Sequence, residues 1–188
     1  SCTVFYANLG NGTFRDETAR SGLGHCGVSY ATNVIDYDGD GFLDVVIADY
    51  FKPVDFSHPE DYAFMPNSGV AADNGGPVVV YHNERGGAFR PAKGNLGIVS
   101  RGWTLAVGVY DLRGTGRPDL YFATDFNSDK VYFNEGGGRF RNASGLVEDK
   151  YSRNGMSVEI ADVDNDGRAA VFVTNIHEPP YALGTNML

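Results

Sequence analysis

The sequence predicts an all-β fold, specifically a partial β-propeller with four-stranded antiparallel blades. Three observations predict it: turn-forming residues are abundant, two motifs recur three times at a fixed separation, and a short apolar run follows each acidic motif. Glycine contributes 25 of the 188 residues, nearly twice its usual share of about 7%. It is interleaved with valine, isoleucine, phenylalanine and tyrosine, a mixture typical of short strands joined by tight turns.

The first motif is a glycine-rich segment that aligns without gaps at residues 5–14, 80–89 and 131–140. Each copy has tyrosine, asparagine, glycine and phenylalanine at the same offsets. Glycine supplies the positive φ that a tight turn between two strands demands. The first motif therefore predicts a β-hairpin in each copy.

The second motif is acidic and begins 28 residues after each aligned asparagine, at Asp36, Asp111 and Asp162. Predicted strands 29–35, 105–110 and 156–161 lead into it, and the apolar runs 45–48, 120–123 and 171–173 leave it. These runs are apolar at successive positions rather than at alternate ones. Such strands are expected to be covered on both faces.

Two hairpins in each copy give four strands per repeat, in units of about 5–51, 80–126 and 131–177. Four-stranded sheets stacked face to face around an axis form a β-propeller, whereas a β-sandwich would not require a constant 28-residue phase. The range 1–188 then holds two complete blades, a leading half and a trailing half. We expect a longer chain, or separate chains, to complete the ring.

The first acidic segment has the pattern of a calcium loop between the first and second strands of a blade. Carboxylates at every second position of a tightly curled loop converge on one point, and Ca²⁺ requires six to eight oxygen ligands. An EF-hand would place glutamate where this chain has Ile47, which disfavours flanking helices. The alternative is a polar turn without metal. The predicted ligands are the carboxylates of Asp36, Asp38, Asp40 and Asp44 and the backbone carbonyl of Phe42.

The other two acidic segments depart from this pattern. The third segment predicts a weaker calcium site, because Ala170 replaces the fourth carboxylate. Arg168 stands at the position of Phe42 and would offer its backbone carbonyl. The predicted ligands are Asp162, Asp164, Asp166 and Arg168. In the second segment Arg113 and Thr115 replace two ligands. We expect the Arg113 guanidinium to take the place of the ion and pair with both Asp111 and Asp119; the alternative is that it points to solvent.

An insert of about 52–79 has no counterpart in the other repeats and is expected on the face opposite the calcium loops. A long connection of this kind often carries function, and its aromatic and polar residues suit a contact surface for a protein or glycan. The alternative is a loop that covers a neighbouring blade or fills the channel. The predicted contact residues are Phe51, Phe56, His58, Tyr62, Phe64 and Met65.

Composition restricts the partners. The formal charge of −9 makes nucleic acid an unsuitable partner, because phosphate binding needs basic residues, and no apolar run approaches the roughly 18 residues of a membrane-spanning helix. Cys2 and Cys26 could form one disulfide or remain two inert thiols.

The two motifs together, Tyr-x-Asn-x-Gly-x-Gly-x-Phe and Asp-x-Asp-x-Asp-Gly-x-x-Asp, resemble the FG-GAP/VCBS repeats of integrin-α-like propellers, and more closely bacterial relatives of cartilage acidic protein. The resemblance implies a secreted, periplasmic or cell-surface propeller with Ca²⁺ in its loops and a role in adhesion or ligand binding.

Three functions remain open at this point. The first is a non-enzymatic extracellular calcium-binding module that binds protein or glycan. The second is part of a calcium-dependent carbohydrate-active enzyme, such as a lyase. The third is a structural subunit of an extracellular assembly or filament.

Overall fold

The structure, a computed structural model, describes residues 2–53, 57–58, 65–94, 96–147 and 154–176. Helix is confined to α1 (Thr18–Ser21) and a 3-10 turn at Ser144–Leu146 within these residues. The strands are β1 (Tyr6–Asn8), β2 (Phe14–Asp16), β3 (Val28–Ile35), β4 (Asp44–Phe51), β5 (Val78–Asn83), β6 (Phe89–Pro91), β7 (Trp103–Tyr110), β8 (Asp119–Asp125), β9 (Lys130–Gly136), β10 (Arg139–Asn142), β11 (Gly155–Ala161) and β12 (Ala170–Asn175).

The strands form two four-stranded sheets and two two-stranded ones, and all pairing is antiparallel. Strands β3 to β6 make the first sheet in chain order, and β7 to β10 make the second. The pair β1–β2 precedes the first sheet along the chain, and the pair β11–β12 follows the second. The predicted all-β class and the four-stranded antiparallel sheets are confirmed, and the predicted strands around each acidic loop are present.

The sheets pack through three apolar clusters because the central strands bury both of their faces. In β8, Leu120 and Phe122 contribute to the cluster shared with the first sheet, while Tyr121 and Ala123 face the cluster shared with β11 and β12. Alternate residues of strand β4 likewise face two different clusters, one shared with the second sheet and one on the opposite face of the first sheet. The successive apolar positions in these strands therefore have the cause that the sequence suggested.

Strand β12 departs from this rule. Val171 and Val173 pack towards the second sheet, but Phe172, on the other face, is 40% exposed. The outer side of β3 is similar, since Tyr30 and Val34 are exposed and border a groove of about 410 Å³ that residues 3–5, which precede β1, also line. The two-stranded pairs thus leave apolar surface uncovered among the described residues.

A disulfide joins Cys2 to Cys26 and ties the segment before β1 to the residues that lead into β3. Closing this loop of 24 residues restricts the unfolded chain and adds stability of about 3 kcal/mol. Of the two possibilities left by the sequence, the disulfide is the one present. Within the described ranges, no helix has the length and apolar character required to span a bilayer.

Candidate metal sites

The three acidic loops occupy equivalent positions in the fold. Loop 1 (36–44) joins β3 to β4, loop 2 (111–119) joins β7 to β8, and loop 3 (162–170) joins β11 to β12. Each connection links neighbouring antiparallel strands. Equivalent strand pairs therefore present their acidic loops in equivalent places.

Loop 1 curls around the carboxylate of Asp36. One oxygen of Asp36 accepts hydrogen bonds from the N–H groups of Gly39 and Asp40, at 2.9 and 3.1 Å, and the other accepts from Gly41 at 3.0 Å. Gly39 and Gly41 adopt φ of 81° and 86°, which glycine reaches without strain. This turn brings carboxylate oxygens of Asp36, Asp38 and Asp40 within 4.8 Å of one another.

Asp44 closes loop 1 from inside the protein. It is 0% exposed, and its two oxygens accept hydrogen bonds from the N–H groups of Asn83, at 2.8 Å, and Tyr37, at 3.1 Å. Burial raises the pKa of Asp44 above its ordinary value, against the opposing effect of these hydrogen bonds. A fully buried carboxylate among further aspartates is the environment that a cation would stabilise.

The pKa of the Tyr37 phenol is affected by its burial and by the negative charge of this region. Burial, followed by the nearby charges of Asp38, Asp44 and Asp40, raises the pKa of Tyr37 to about 12. Ionising the phenol would add another negative charge to a region that is already acidic. Loop 1 therefore favours cations and disfavours anions.

Loop 1 also has a neighbour that the sequence analysis did not identify. The Nδ1 atom of His82, on β5, lies 3.2 Å from Asp44 Oδ1 and 3.4 Å from Asp38 Oδ2. The register β4–β5 pairs Val45 with Tyr81, so the next step along the two strands sets His82 beside Asp44. No motif marked this contact; only the strand register could have predicted it.

Loop 3 has the same turn with fewer carboxylates. The oxygens of Asp162 accept hydrogen bonds from the N–H groups of Asp166 and Gly167, at 3.1 and 2.9 Å, and oxygens of Asp162, Asp164 and Asp166 lie within 4.8 Å of one another. The Arg168 guanidinium binds Asp166 through Nε at 2.6 Å. This contact and the Arg168 N–H hold the pKa of Asp166 below its ordinary value.

Loop 2 contains its own cation. Arg113 donates to Asp119 Oδ1 at 3.1 Å and to the Asn134 carbonyl at 2.8 Å, and its guanidinium lies 4.4 Å from the centre of the Phe133 ring. Asp119 is 0% exposed. The predicted pairing of Arg113 is therefore right for Asp119, and the solvent-facing alternative is wrong.

The expected pairing of Arg113 with Asp111 is also wrong, because the oxygens of Asp111 already have other donors. One accepts from the N–H and hydroxyl of Thr115, at 2.9 and 3.3 Å, and the other from Gly116 N–H at 2.6 Å. Although burial acts in the opposite direction, these bonds hold the pKa of Asp111 below its ordinary value. Asp111 thus closes the turn, as Asp36 does in loop 1.

The repeated asparagine helps to form each hairpin turn, which the sequence motif had led us to attribute to glycine alone. The side-chain oxygens of Asn8, Asn83 and Asn134 accept the N–H two residues later, at 2.8, 3.0 and 2.9 Å, which starts each hairpin turn. The N–H groups of Asn83 and Asn134 both donate at 2.8 Å to the aspartate that ends the acidic loop of the same sheet. In both four-stranded sheets, the glycine-rich motif therefore contacts the acidic loop of its own sheet.

The insert follows the end of β4 remote from loop 1, as expected. Its later part attaches to the second sheet: Ala72 N–H donates to the Phe126 carbonyl at 2.8 Å, and Trp103 Nε1 donates to Asn74 at 3.0 Å. Phe51 packs against Trp103 with ring centres 5.7 Å apart. Of the predicted contact residues, His58 and Met65 are exposed. Phe56, Tyr62 and Phe64 lie outside the described residues.

A further polar cluster lies at the same remote end of β4. The His25 imidazole contacts both oxygens of the buried Asp49, at 3.0 and 3.1 Å, and the Ser29 hydroxyl donates to the same carboxylate at 2.5 Å. Serine and histidine here share one acceptor. They do not form the serine-to-histidine hydrogen bond that activates a nucleophile.

Comparison with known proteins agrees with this arrangement. Residues 111–173, about a third of the chain, match the family model of the FG-GAP-like repeat. The match runs from the first aspartate of loop 2, through β8 to β11 and loop 3, into β12. This part of the chain is similar to the FG-GAP-like repeat, in agreement with the resemblance that the motifs indicated. None of the curated proteins matches the chain.

Proposed function

We propose that this chain is part of a calcium-stabilised β-propeller that acts outside the cytoplasm as a non-enzymatic module binding protein or glycan. The observation that carries the calcium assignment is the contrast between loops 1 and 2. Where Arg113 is present, the buried Asp119 has a guanidinium beside it. Where Asp38 takes that position, the equally buried Asp44 has no arginine or lysine paired with it among the described residues. An external cation supplies the missing charge.

The donor set fits calcium in chemical type. Loop 1 offers four carboxylates and the Phe42 carbonyl, and hard cations such as Ca²⁺ prefer oxygen ligands in number. Loop 3 offers three carboxylates and the Arg168 carbonyl, but the Arg168 side chain competes for Asp166. Bound calcium would neutralise the loop carboxylates and stabilise the connections between adjacent strands, and loop 1 would bind more tightly than loop 3.

Calcium titration by isothermal calorimetry tests this assignment. We expect two sites in the wild-type chain, loss of the tighter one in Asp40→Ala and loss of the weaker one in Asp166→Ala. Arg168→Ala keeps the backbone carbonyl, frees Asp166 and strengthens the weaker site. Absence of calcium binding, or binding that survives the Asp40→Ala and Asp166→Ala substitutions together, contradicts the assignment.

The partial propeller is supported by the stacking of the sheets through shared clusters and by the exposed apolar residues at both ends. Tyr30 and Val34 on one side, and Phe172 on the other, occupy faces that a further sheet would cover. We propose that additional strands complete the β1–β2 and β11–β12 pairs into four-stranded blades. The disulfide supports a location outside the cytoplasm, where such bonds persist.

The proposed contact surface is the exposed part of the insert. Because Ala72 and Asn74 are attached to the second sheet, deleting the whole insert would also disturb the fold. The double variant His58→Ala, Met65→Ala changes only exposed side chains. On a glycan array, we expect binding by the wild type and its loss in the variant; retained binding contradicts this placement of the surface.

A further inference from the structure

His82 is the feature of loop 1 that the calcium assignment does not use. Its Nδ1 atom is buried and has no hydrogen bond of acceptable geometry, although it lies near the oxygens of Asp38 and Asp44. Histidine nitrogen is a poor ligand for Ca²⁺ and a preferred ligand for first-row transition metals. The His82 side chain is therefore better suited to a transition metal ion than to Ca²⁺.

The three groups form a compact donor set. Ligand atoms of Asp38, Asp44 and His82 all lie within 4.8 Å of one another. Two ligands of a tetrahedral Zn²⁺ ion, with bonds of about 2.0–2.2 Å, are separated by about 3.3–3.6 Å. The distances of 3.2 and 3.4 Å from Nδ1 to the two carboxylates are close to that separation. Two carboxylates and one imidazole leave a fourth position for water.

The placement of His82 follows from the fold. The position before the repeated asparagine lies beside the third position of the acidic loop in both complete sheets. In the first sheet the two residues are His82 and Asp38, at 3.4 Å. In the second they are Phe133 and Arg113, at 4.4 Å from ring centre to guanidinium. The same two positions therefore hold a pair of metal-ligand side chains in one sheet and a cation–ring pair in the other.

Surrounding contacts position the imidazole and, separately, the carboxylate nearest to it. The imidazole ring meets the Tyr37 ring edge-on, with centres 6.0 Å apart and an angle of 87° between the planes. Asp44, the carboxylate nearest to Nδ1, is fixed by the N–H groups of Asn83 and Tyr37. Ligands fixed by surrounding contacts lose less freedom when a metal binds.

From this geometry we propose that Asp38, Asp44 and His82 bind a divalent first-row transition metal ion, with Zn²⁺ as the representative ion. This inference rests on the proposed function in so far as loop 1 is a cation site, and it adds a second class of ion that shares Asp38 and Asp44 with calcium. Zn²⁺ and Ca²⁺ then exclude each other at loop 1, while loop 3 has no histidine among its predicted ligands and retains its preference for calcium.

Zn²⁺ titration of the whole chain tests the proposal, with calorimetry for affinity and imidazole ¹⁵N NMR for the ligand atom. In the wild type we expect the Nδ1 resonance of one histidine to shift with Zn²⁺ and not with Ca²⁺. His82→Gln removes that resonance and weakens Zn²⁺ binding at least tenfold, since losing a mere second-layer partner already costs roughly 10–100-fold. The matched control His58→Gln changes an exposed histidine and leaves the Zn²⁺ affinity unaltered.

Each outcome separates this proposal from the calcium assignment. Unchanged Zn²⁺ affinity in His82→Gln, or a wild-type Nδ1 signal that does not respond to Zn²⁺, overturns the role of His82 even if Ca²⁺ binds. Binding of Zn²⁺ through His82 without any binding of Ca²⁺ supports the present proposal and overturns the calcium assignment. The wild-type NMR shift needs no substitution, so it remains informative if His82→Gln folds poorly.

Discussion

Asp44 and Asp119 are equivalent buried aspartates with different neighbouring side chains. Asp44 has Asp38 and His82 nearby, whereas Asp119 has Arg113. Both buried aspartates accept a backbone N–H at 2.8 Å from the neighbouring strand, but of these two carboxylates only that of Asp119 is paired with Arg113. A buried carboxylate costs free energy unless a positive charge or several hydrogen bonds compensate it. We therefore propose that Arg113 makes loop 2 independent of metal and that loop 1, which lacks this arginine, depends on a bound cation.

Removing this guanidinium tests the compensation directly. Arg113→Ala leaves Asp119 buried with fewer partners, so we expect the free energy of unfolding to fall by about 3 kcal/mol. Arg141→Ala is the matched control, because both arginines contact Glu135 and the Phe133 ring but Arg141 is largely exposed. Its cost is expected to stay below about 1 kcal/mol. Equal costs in urea unfolding would show that Asp119 does not need Arg113.

Another buried aspartate, Asp125, lies at the end of β8 opposite loop 2 and is expected to make stability depend on pH. Asp125 accepts hydrogen bonds from the Tyr50 hydroxyl at 2.6 Å and from Phe126 N–H at 3.0 Å. Burial nevertheless raises the pKa of Asp125 above its ordinary value of 3.8. The folded protein therefore takes up this proton at a higher pH than the unfolded chain does, and the carboxylate opposes folding at neutral pH.

Asp125→Asn is expected to remove this dependence. As pH falls from 7 towards 4, protonation of Asp125 in the folded state stabilises the wild type, and the variant lacks that gain. The free energy of unfolding of the wild type should therefore rise relative to that of the variant over this range. A constant or opposite difference in urea titrations at several pH values would contradict the raised pKa.

Residue roles were predictable where they depended on local spacing. The acidic turns followed from aspartate and glycine positions, and the bound guanidinium of Arg113 followed from its replacement of a ligand. The error about Asp111 arose because backbone N–H donors in the turn satisfy that carboxylate first. The contact of His82 with Asp44 joins residues in different strands, so it required the strand register, which no single motif supplies.

At the scale of elements, the hairpins and acidic loops stabilise each other. Asn134 begins the β9–β10 turn, and its side-chain amide donates to the Tyr37 carbonyl at 3.0 Å, which links the second sheet to loop 1. It is almost fully buried. Asn8 makes the same kind of turn at an exposed position. The same residue type is therefore expected to contribute differently to the free energy of unfolding in the two hairpins.

Substituting these asparagines measures the difference. Asn134→Ala removes the turn acceptor and leaves the buried Tyr37 carbonyl without this donor, so we expect a loss of about 2 kcal/mol in the free energy of unfolding. Asn8→Ala removes only an exposed turn contact, with an expected cost below about 1 kcal/mol. If calorimetric unfolding gave the two variants equal stability, the hydrogen bond from Asn134 to the Tyr37 carbonyl would not contribute to stability.

Element positions were predictable because apolar runs and turn residues recur in phase. The burial of β12 was not predictable, because it depends on which strands pack against each of its faces. Strands β4 and β8 have neighbours on both faces, whereas the face of β12 that carries Phe172 is exposed among the described residues. Attachment of the insert to the second sheet was left open by the sequence, because it depends on backbone hydrogen bonds such as that from Ala72.

At the scale of the whole molecule, two four-stranded sheets are flanked along the chain by two two-stranded ones, and the acidic loops connect corresponding strands in three of the four sheets. Such repeats depend on contacts with their neighbours. The cation proposed at loop 1 would stabilise the connection of β3 to β4, and Asn134 joins that loop to the next sheet. Metal binding is therefore expected to affect the stability of the assembled sheets.

The most direct measurement is the thermal midpoint of unfolding in calcium and in excess chelator. Calcium at a hundred times its dissociation constant should add about 2.7 kcal/mol to the free energy of unfolding. We therefore expect a lower midpoint in chelator for the wild type and for Thr115→Ala, the control at the matching position of loop 2. Asp40→Ala should lose most of this difference. A wild-type midpoint that is the same with and without calcium would show that the fold is not stabilised by calcium.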